Sequence, residues 1–321
     1  MPTDNKTMPL LEIGLLALLG ILWGMPYALT KIALTTIPPV TMVAERVAVA
    51  AGILWVIVLV KRCKVPLERE ITQRLFVQGL IGCVIPYTLI AFGQQSVGSA
   101  LASILNSTGP LFLCLISLVF AGQEPLTARL LFGITIGLGG VVMITGSSAL
   151  TGFGAGTVGQ LAILGATLSS TIGAIHARRF TSIAPEVVAA GTLTSATFLL
   201  IPLSFVVESP FNSAPSAAAL AAMATNGIIS TALGFLIYFR LIRTLGSIGT
   251  TSVGYLRPAI GVLIGYSLLG ELLTWSMSAG LVVILIGVAA INWTPRNRPV
   301  RSALARNRNV PQSTVAAACA D

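Results

Sequence analysis

Arg257 is a full charge inside an apolar run, about ten residues into the stretch 247–269. A charge at that depth in a bilayer costs at least ~2.5–3.5 kcal/mol on insertion scales, so it should face a cavity or a partner. Its planar fork suits a substrate carboxylate or phosphate. The competing role is a structural pair with Glu45 or with backbone carbonyls. Thr250, Gly254, Arg257, Gly261 and Gly265 share one helical face by their spacing. Small residues there permit either close helix packing or an open pocket. Glu45 and Arg46 stand in the outer part of the run 38–60. Glu45, one of few acids inside the apolar runs, is a candidate for loading and releasing protons, or for a local ion pair that orients its helix. Trp23 and Tyr27 lie one turn apart beside Gly20 and Gly24, with Pro26 between them freeing a backbone carbonyl. Tyr87, Asn106, Tyr238 and Tyr255 add polar tips from other runs. Together these side chains can line an amphipathic pocket, while each alone serves equally as packing or as an interface anchor.

Other chemistries lack their residues. His176 is the one histidine, beside Arg178 and Arg179, so no zinc site of the usual kind is expected. No Gly-rich phosphate loop or Walker motif is present, so any transport should be driven by a gradient. Cys63, Cys83, Cys114 and Cys319 show no CxxC spacing and read as free thiols. No cofactor is implied. The main rival class, an intramembrane enzyme, needs a polar catalytic cluster, and the runs offer only one edge histidine and scattered acids.

The elements that must position these residues are membrane helices. Hydrophobic residues make up 55 % of the 321 and charged residues 9 %, with mean hydropathy +0.92. A soluble domain carries roughly 25 % charge. About 20 apolar residues cross the hydrocarbon core as a helix. Ten such runs are expected: 10–30, 38–60, 75–95, 99–120, 127–147, 157–177, 184–207, 217–239, 247–269 and 274–293. They are too continuous for the alternation of a membrane barrel. The first is read as a retained helix and not as a cleaved signal. With the N-terminus inside, 16 of the 19 Lys and Arg fall on the inner segments and their edges, and only Lys31 falls outside. Such asymmetry favours ten spans with both termini cytoplasmic. The net charge of +9 is therefore read as membrane anchoring and not as a nucleic-acid footprint. Residues 294–321 are polar and basic, the composition of a disordered cytoplasmic tail. Its arginines either touch anionic lipid headgroups or are simply solvated.

The runs repeat. Gly14-x-Leu16-Ala17-x-Leu19-Gly20 matches Gly159-x-Leu161-Ala162-x-Leu164-Gly165. Gly79, Gly98-Ser99 and Pro110 match Gly227, Gly246-Ser247 and Pro258. Glu124, Gly133 and Gly140 match Glu271, Gly280 and Gly287. Five helices per half is an odd number, so the second half must enter the membrane upside down. The expected fold is an all-α integral membrane protein of ten helices in two inverted five-helix repeats, 8–147 and 155–293. Inverted repeats are a transporter signature, with the site near the midplane.

An ordered set of motifs resembles the ten-helix EamA-type branch of the drug/metabolite transporter superfamily. It comprises Trp23-Gly24-x-x-Tyr27-x-x-x-Lys31, Pro38-Pro39 with Arg46, and Pro110 and Pro258, each followed by a glutamate (Glu124, Glu271) and then by a glycine nine residues on (Gly133, Gly280). The resemblance covers about residues 10–293. It implies secondary transport of small metabolites, often export of amino acids or related compounds, from a bacterial inner membrane. A lipid flippase or a non-transporting subunit of the same fold is the alternative. Arg46 fits the family pattern and suggests an outer vestibule. Glu124 and Glu271 fit it too, and their place at loops suggests helix capping. Gln123, in place of a glycine, and Arg257, just before Pro258, depart from the pattern.

Overall fold

The computed structural model describes residues 10–292 except 67, 121–127, 151–153, 181, 213, 239, 242–243 and 245–252. Side chains at 117–120, 128–130, 145–150, 212, 255 and 291–292 also lie outside the description. The expected tail, Glu124, Thr250 and the Tyr255 side chain therefore fall outside it.

Apart from the connecting turns the described residues are helical, as an apolar solvent requires of a backbone that must satisfy its own hydrogen bonds. Ten helical segments follow one another among them: α1 Leu10–Ala33, α2 Pro39–Val60, α3 Arg69–Ser96, α4 Ser99–Ile116, α5 Ala128–Leu150, α6 Ala155–Phe180, α7 Pro185–Val207, α8 Ala217–Tyr238, α9 Val253–Leu269 and α10 Trp275–Asn292. Seven of them, α1–α4 and α6–α8, are long and apolar enough to cross a membrane by length and composition, while the remaining three hold shorter apolar stretches. Together they make a multi-pass membrane protein. Local chemistry sets the ends. Pro39 and Pro185 open α2 and α7 at the first helical position, where no N–H is needed. The Ser216 hydroxyl accepts from Ala219 N at 3.2 Å and caps α8. Gly270, at φ +63°, takes the left-handed turn that closes α9.

α3 begins at Arg69, earlier than the expected residue 75. Hydropathy detects only the apolar part of a helix, and the extra turns are polar, carrying an Arg74–Glu70 ion pair. The Pro26 break lies where the spacing placed it, between Leu10–Gly24 and Pro26–Ala33.

Equivalent helices of the two halves meet each other, and they run antiparallel. On α2 and α7, Lys61 Nζ pairs with Glu186 Oε1 at 2.8 Å at one end. At the other end, Glu208 accepts from Val40 N at 2.8 Å and Thr41 N at 2.7 Å. Between them Val47, Leu54 and Val58 pack with Leu193 and Leu200 in the main core. On α4 and α9, Gly261 meets Ser103 and Gly265 meets Ser99 and Ala100. On α5 and α10, Gly140 lies against the Gly280 carbonyl, and Gly287 against the Gly133 carbonyl. Exchanging the halves maps the last two contacts onto each other, the mark of a two-fold relation. These seams use small residues because lipid tails supply no hydrophobic drive between helices, so close backbone approach must. The face around Arg257 is thus resolved in favour of packing at Gly261 and Gly265, while Gly254 has open space beside it.

The third helix of each half also carries the same irregularity. Leu80–Val84 in α3 and Asn226–Leu233 in α8 are wound as π-helix. A π turn leaves local carbonyls free, and Thr231 Oγ1 bonds one of them, Asn226 O, at 2.9 Å. Such turns concentrate at functional sites.

Candidate functional site: a central cavity with two arginines

Both π segments border one cavity of about 350 Å³. Gly82 lines it from α3 and Ser230 and Thr231 from α8. α1 contributes Trp23, Pro26 and Tyr27, α2 contributes Arg46, and α4 contributes Asn106 at a break in the helix. At that break Ser107 Oγ and Thr108 Oγ1 donate to the carbonyls of Ile104 and Leu105, at 2.6 and 2.7 Å. Irregular backbone at membrane depth is tolerated where it lines a cavity in this way.

Two guanidinium groups enter the cavity. Arg257 Nη2 donates to Tyr27 Oη at 3.2 Å, and its guanidinium carbon stands 5.6 Å from the Trp23 ring centre. Arg46 Nε donates to Thr231 Oγ1 at 3.2 Å, and its guanidinium lies 4.5 Å from the Tyr87 ring centre. Aromatic faces hold each cation in place, an attraction of about 0.5–2 kcal/mol. Among the described residues, the ion pairs are Lys61–Glu186, Arg74–Glu70 and Arg240–Glu12, so neither cavity arginine has a carboxylate partner. Arg257 Nε is buried without any hydrogen-bond acceptor. The cavity is therefore cationic, with guanidinium donors left over.

Of the residues singled out in the sequence, Trp23, Tyr27, Arg46, Tyr87, Asn106 and Arg257 line this one cavity. Arg46, read from the sequence as a vestibule residue, lies in the central chamber opposite the ring of Tyr87. Tyr238 lines an adjoining lobe and packs on Trp23 with ring centres 5.0 Å apart. Glu45 lines neither space; its Oε2 is buried without a hydrogen-bond partner, and it does not pair with Arg257. Glu271 does cap a helix, but a distant one: it accepts from Ser99 N at 2.6 Å and Ala100 N at 2.8 Å at the start of α4. Gln78, Ser230 and Thr231 also line the cavity. The signal available for them was their polarity inside apolar runs.

Two sets of contacts distinguish the two ends of the helices around the chamber. At one end Lys31 Nζ donates to the carbonyls of Gln94 and Val97, at 2.6 and 3.2 Å, and Gln94 Nε2 donates to Tyr27 O at 2.8 Å. Glu208 and Glu271 bind helix N-termini there, each across from the other half. Toward the other end the adjoining lobe, about 480 Å³, reaches Phe180, Ile183 and Pro185 beside Arg178–Arg179.

The two-fold relation does not extend to the charges. A Cβ on Gly79 would meet Thr192 O at 2.9 Å, and one on Gly227 would meet Arg46 O at 3.0 Å. Thr192 thus holds in α7 the place of Arg46 in α2. The repeat spacing puts Gly109 or Pro110 opposite Arg257. Each half supplies one cation, from non-equivalent helices.

An all-helical fold with two related halves around a cationic chamber is that of a membrane transporter. Residues 10–146 and 157–293 each match the EamA-like transporter family, and the chain belongs to it. It is 26 % identical over 289 residues to an uncharacterized inner membrane transporter of Escherichia coli K12, YedA, covering 89 % of this chain and 92 % of that one. It is 24 % identical over 281 residues to an uncharacterized transporter of Bacillus subtilis 168, YoaV, covering 87 % and 96 %. A solved crystal structure 20 % identical superposes with a TM-score of 0.61, over 86 % of this chain and 94 % of the other, and shares the fold.

Proposed function

We propose that the protein is a gradient-driven secondary transporter that exports small organic anions from the bacterial cytoplasm by alternating access. The observation that carries this reading is the pair of cavity guanidinium groups without carboxylate partners. Two uncompensated cations in a low-dielectric chamber are costly, and an anion that bridges them offsets that cost. Since Arg46 belongs to the first half and Arg257 to the second, a bound anion tightens the contact between halves and loosens as they part. Ten spans in two inverted halves are part of the same proposal, and the antiparallel seams of equivalent helices support it. With the basic end placed in the cytoplasm, the chamber opens inward and the seam of Lys31, Glu208 and Glu271 is its outer closure. Outward opening requires these capping contacts to break. Glu45 is the proposed proton-coupling acid, supported by its buried, unpartnered oxygen.

Proteoliposomes carrying the full chain test the reading. Counterflow of labelled organic anions, measured across a metabolite panel with neutral and cationic compounds alongside, should select anions. Arg46→Gln and Arg257→Gln should each weaken that selection. Equal handling of cations and anions would overturn it.

A further inference from the structure

We infer that the cargo is an anion with an apolar tail and no ammonium group, its head held by Arg46 and Arg257 and its tail lodged in the lobe next to them. This inference rests on the anion reading of the cavity and narrows it.

The first observation concerns what the site lacks. The chain has ten acids, Asp4, Glu12, Glu45, Glu68, Glu70, Glu124, Glu186, Glu208, Glu271 and Asp321. All but Asp4, Glu124 and Asp321 are described, and none of the described ones lines either space. Glu12 and Glu186 pair with Arg240 and Lys61, and Glu208 and Glu271 are occupied at helix N-termini. A zwitterionic amino acid would bring its ammonium group beside two guanidinium groups with only neutral acceptors to receive it. Like charges at such range, in a chamber walled by apolar helices, repel strongly. The site therefore discriminates against the zwitterion and in favour of the same skeleton without nitrogen.

The second observation concerns the lobe. It adjoins the cationic chamber through shared walls at Trp23, Gln78, Gly82, Tyr87 and Phe235. Beyond them it is lined chiefly by apolar side chains, among them Phe180, Ile183, Val188, Ala189 and Leu193, with no charged residue among the described ones. Gln78, the side-chain amide at the junction, is engaged by His176 Nδ1 at 2.9 Å. Water in such a lobe has few partners, so an apolar tail displaces it favourably. Each buried methylene contributes about fourfold in affinity, the equivalent of ~0.8 kcal/mol.

Straight-chain alkanesulfonates and their 2-amino counterparts are the probes, because a sulfonate stays charged and does not cross bilayers unaided. Charge displacement is recorded on proteoliposomes adsorbed to a solid-supported membrane after a concentration jump. The expected result is an apparent affinity that climbs about fourfold per added carbon until the lobe is full, with the amino compounds at least about tenfold weaker. Val188→Phe, and independently Ala189→Phe, should move the optimum to shorter chains. Anion currents that depend on Arg46 and Arg257 but ignore chain length and both lobe variants would overturn the tail assignment and leave the anion reading standing. Equal affinity for the amino compounds would overturn the exclusion of zwitterions. Currents unaffected by Arg46→Gln and Arg257→Gln would defeat the anion reading itself.

Discussion

Replacing Arg257 with glutamine separates a binding arginine from a structural one, because the two roles predict opposite stabilities. Gln keeps a polar donor but is shorter and removes the charge. An anion in contact with the guanidinium, about 4 Å between charge centres, gains roughly 4 kcal/mol at an effective dielectric of ~20. Arg46 remains in the cavity, so the loss expected on substitution is about 10²–10³-fold in apparent affinity. In the unliganded protein the substitution forfeits the Tyr27 hydrogen bond, about 1 kcal/mol, and the Trp23 cation–π contact, about 0.5–2 kcal/mol. It also removes a membrane-embedded charge whose placement costs about 2.5–3.5 kcal/mol. The balance is neutral to mildly stabilising. Counterflow in proteoliposomes should therefore collapse while the thermal unfolding midpoint of the unliganded protein in detergent holds or rises. Wild-type affinity in Arg257→Gln would refute the binding role. A clearly lowered midpoint would mean that Arg257 is structural, and the anion site would need another anchor.

Glu271→Ala should destabilise the protein by about 1–3 kcal/mol, since it removes the acceptor for two backbone N–H groups at the start of α4. Hydrogen exchange at Ser99 and Ala100 should quicken, with Glu271→Gln intermediate, and unchanged exchange would remove Glu271 as the cap. Thr36 Oγ1 and Ser216 Oγ lie 3.3 Å apart at the proposed outer closure. Cysteines at both positions, with the native cysteines replaced by serine, should form a disulfide that stops transport until a reductant is added. Continued transport by the oxidised variant would show that this end does not open. Glu45→Gln should still bind anions but lose its response to an imposed pH gradient. A full pH response in that variant would exclude Glu45 as the coupling acid.

Much of the fold was legible because a bilayer imposes one-dimensional rules. Apolar runs of sufficient length marked the helices, while Pro185 and Gly270 set ends that those runs alone did not fix. The extension of α3 to Arg69 was missed because a helix outside the hydrocarbon carries no hydropathy signal. The π segments were missed for a different reason. They arise where α3 and α8 must fit their neighbours, with Gly79 seated against α7 and Gly227 against α2, and no local residue pattern encodes them. The repeat was visible through its glycines, and packing explains why: Gly133, Gly140, Gly280 and Gly287 occupy the α5/α10 seam, where backbones meet.

The candidate site was legible only as separate residues. By sequence, Arg257 stood out as an energetic anomaly, and Arg46 as a residue near the outer end of its span. Charge placement and internal duplication were determined by the chain alone, because each depends on residue identity at a position. That Arg46 and Arg257 share one chamber, that Glu45 stays out of it, and that Glu271 caps α4 and not its own loop were decided by tertiary structure. These outcomes depend on which small-residue seams close between helices distant in sequence, and so on shape complementarity that no single run contains.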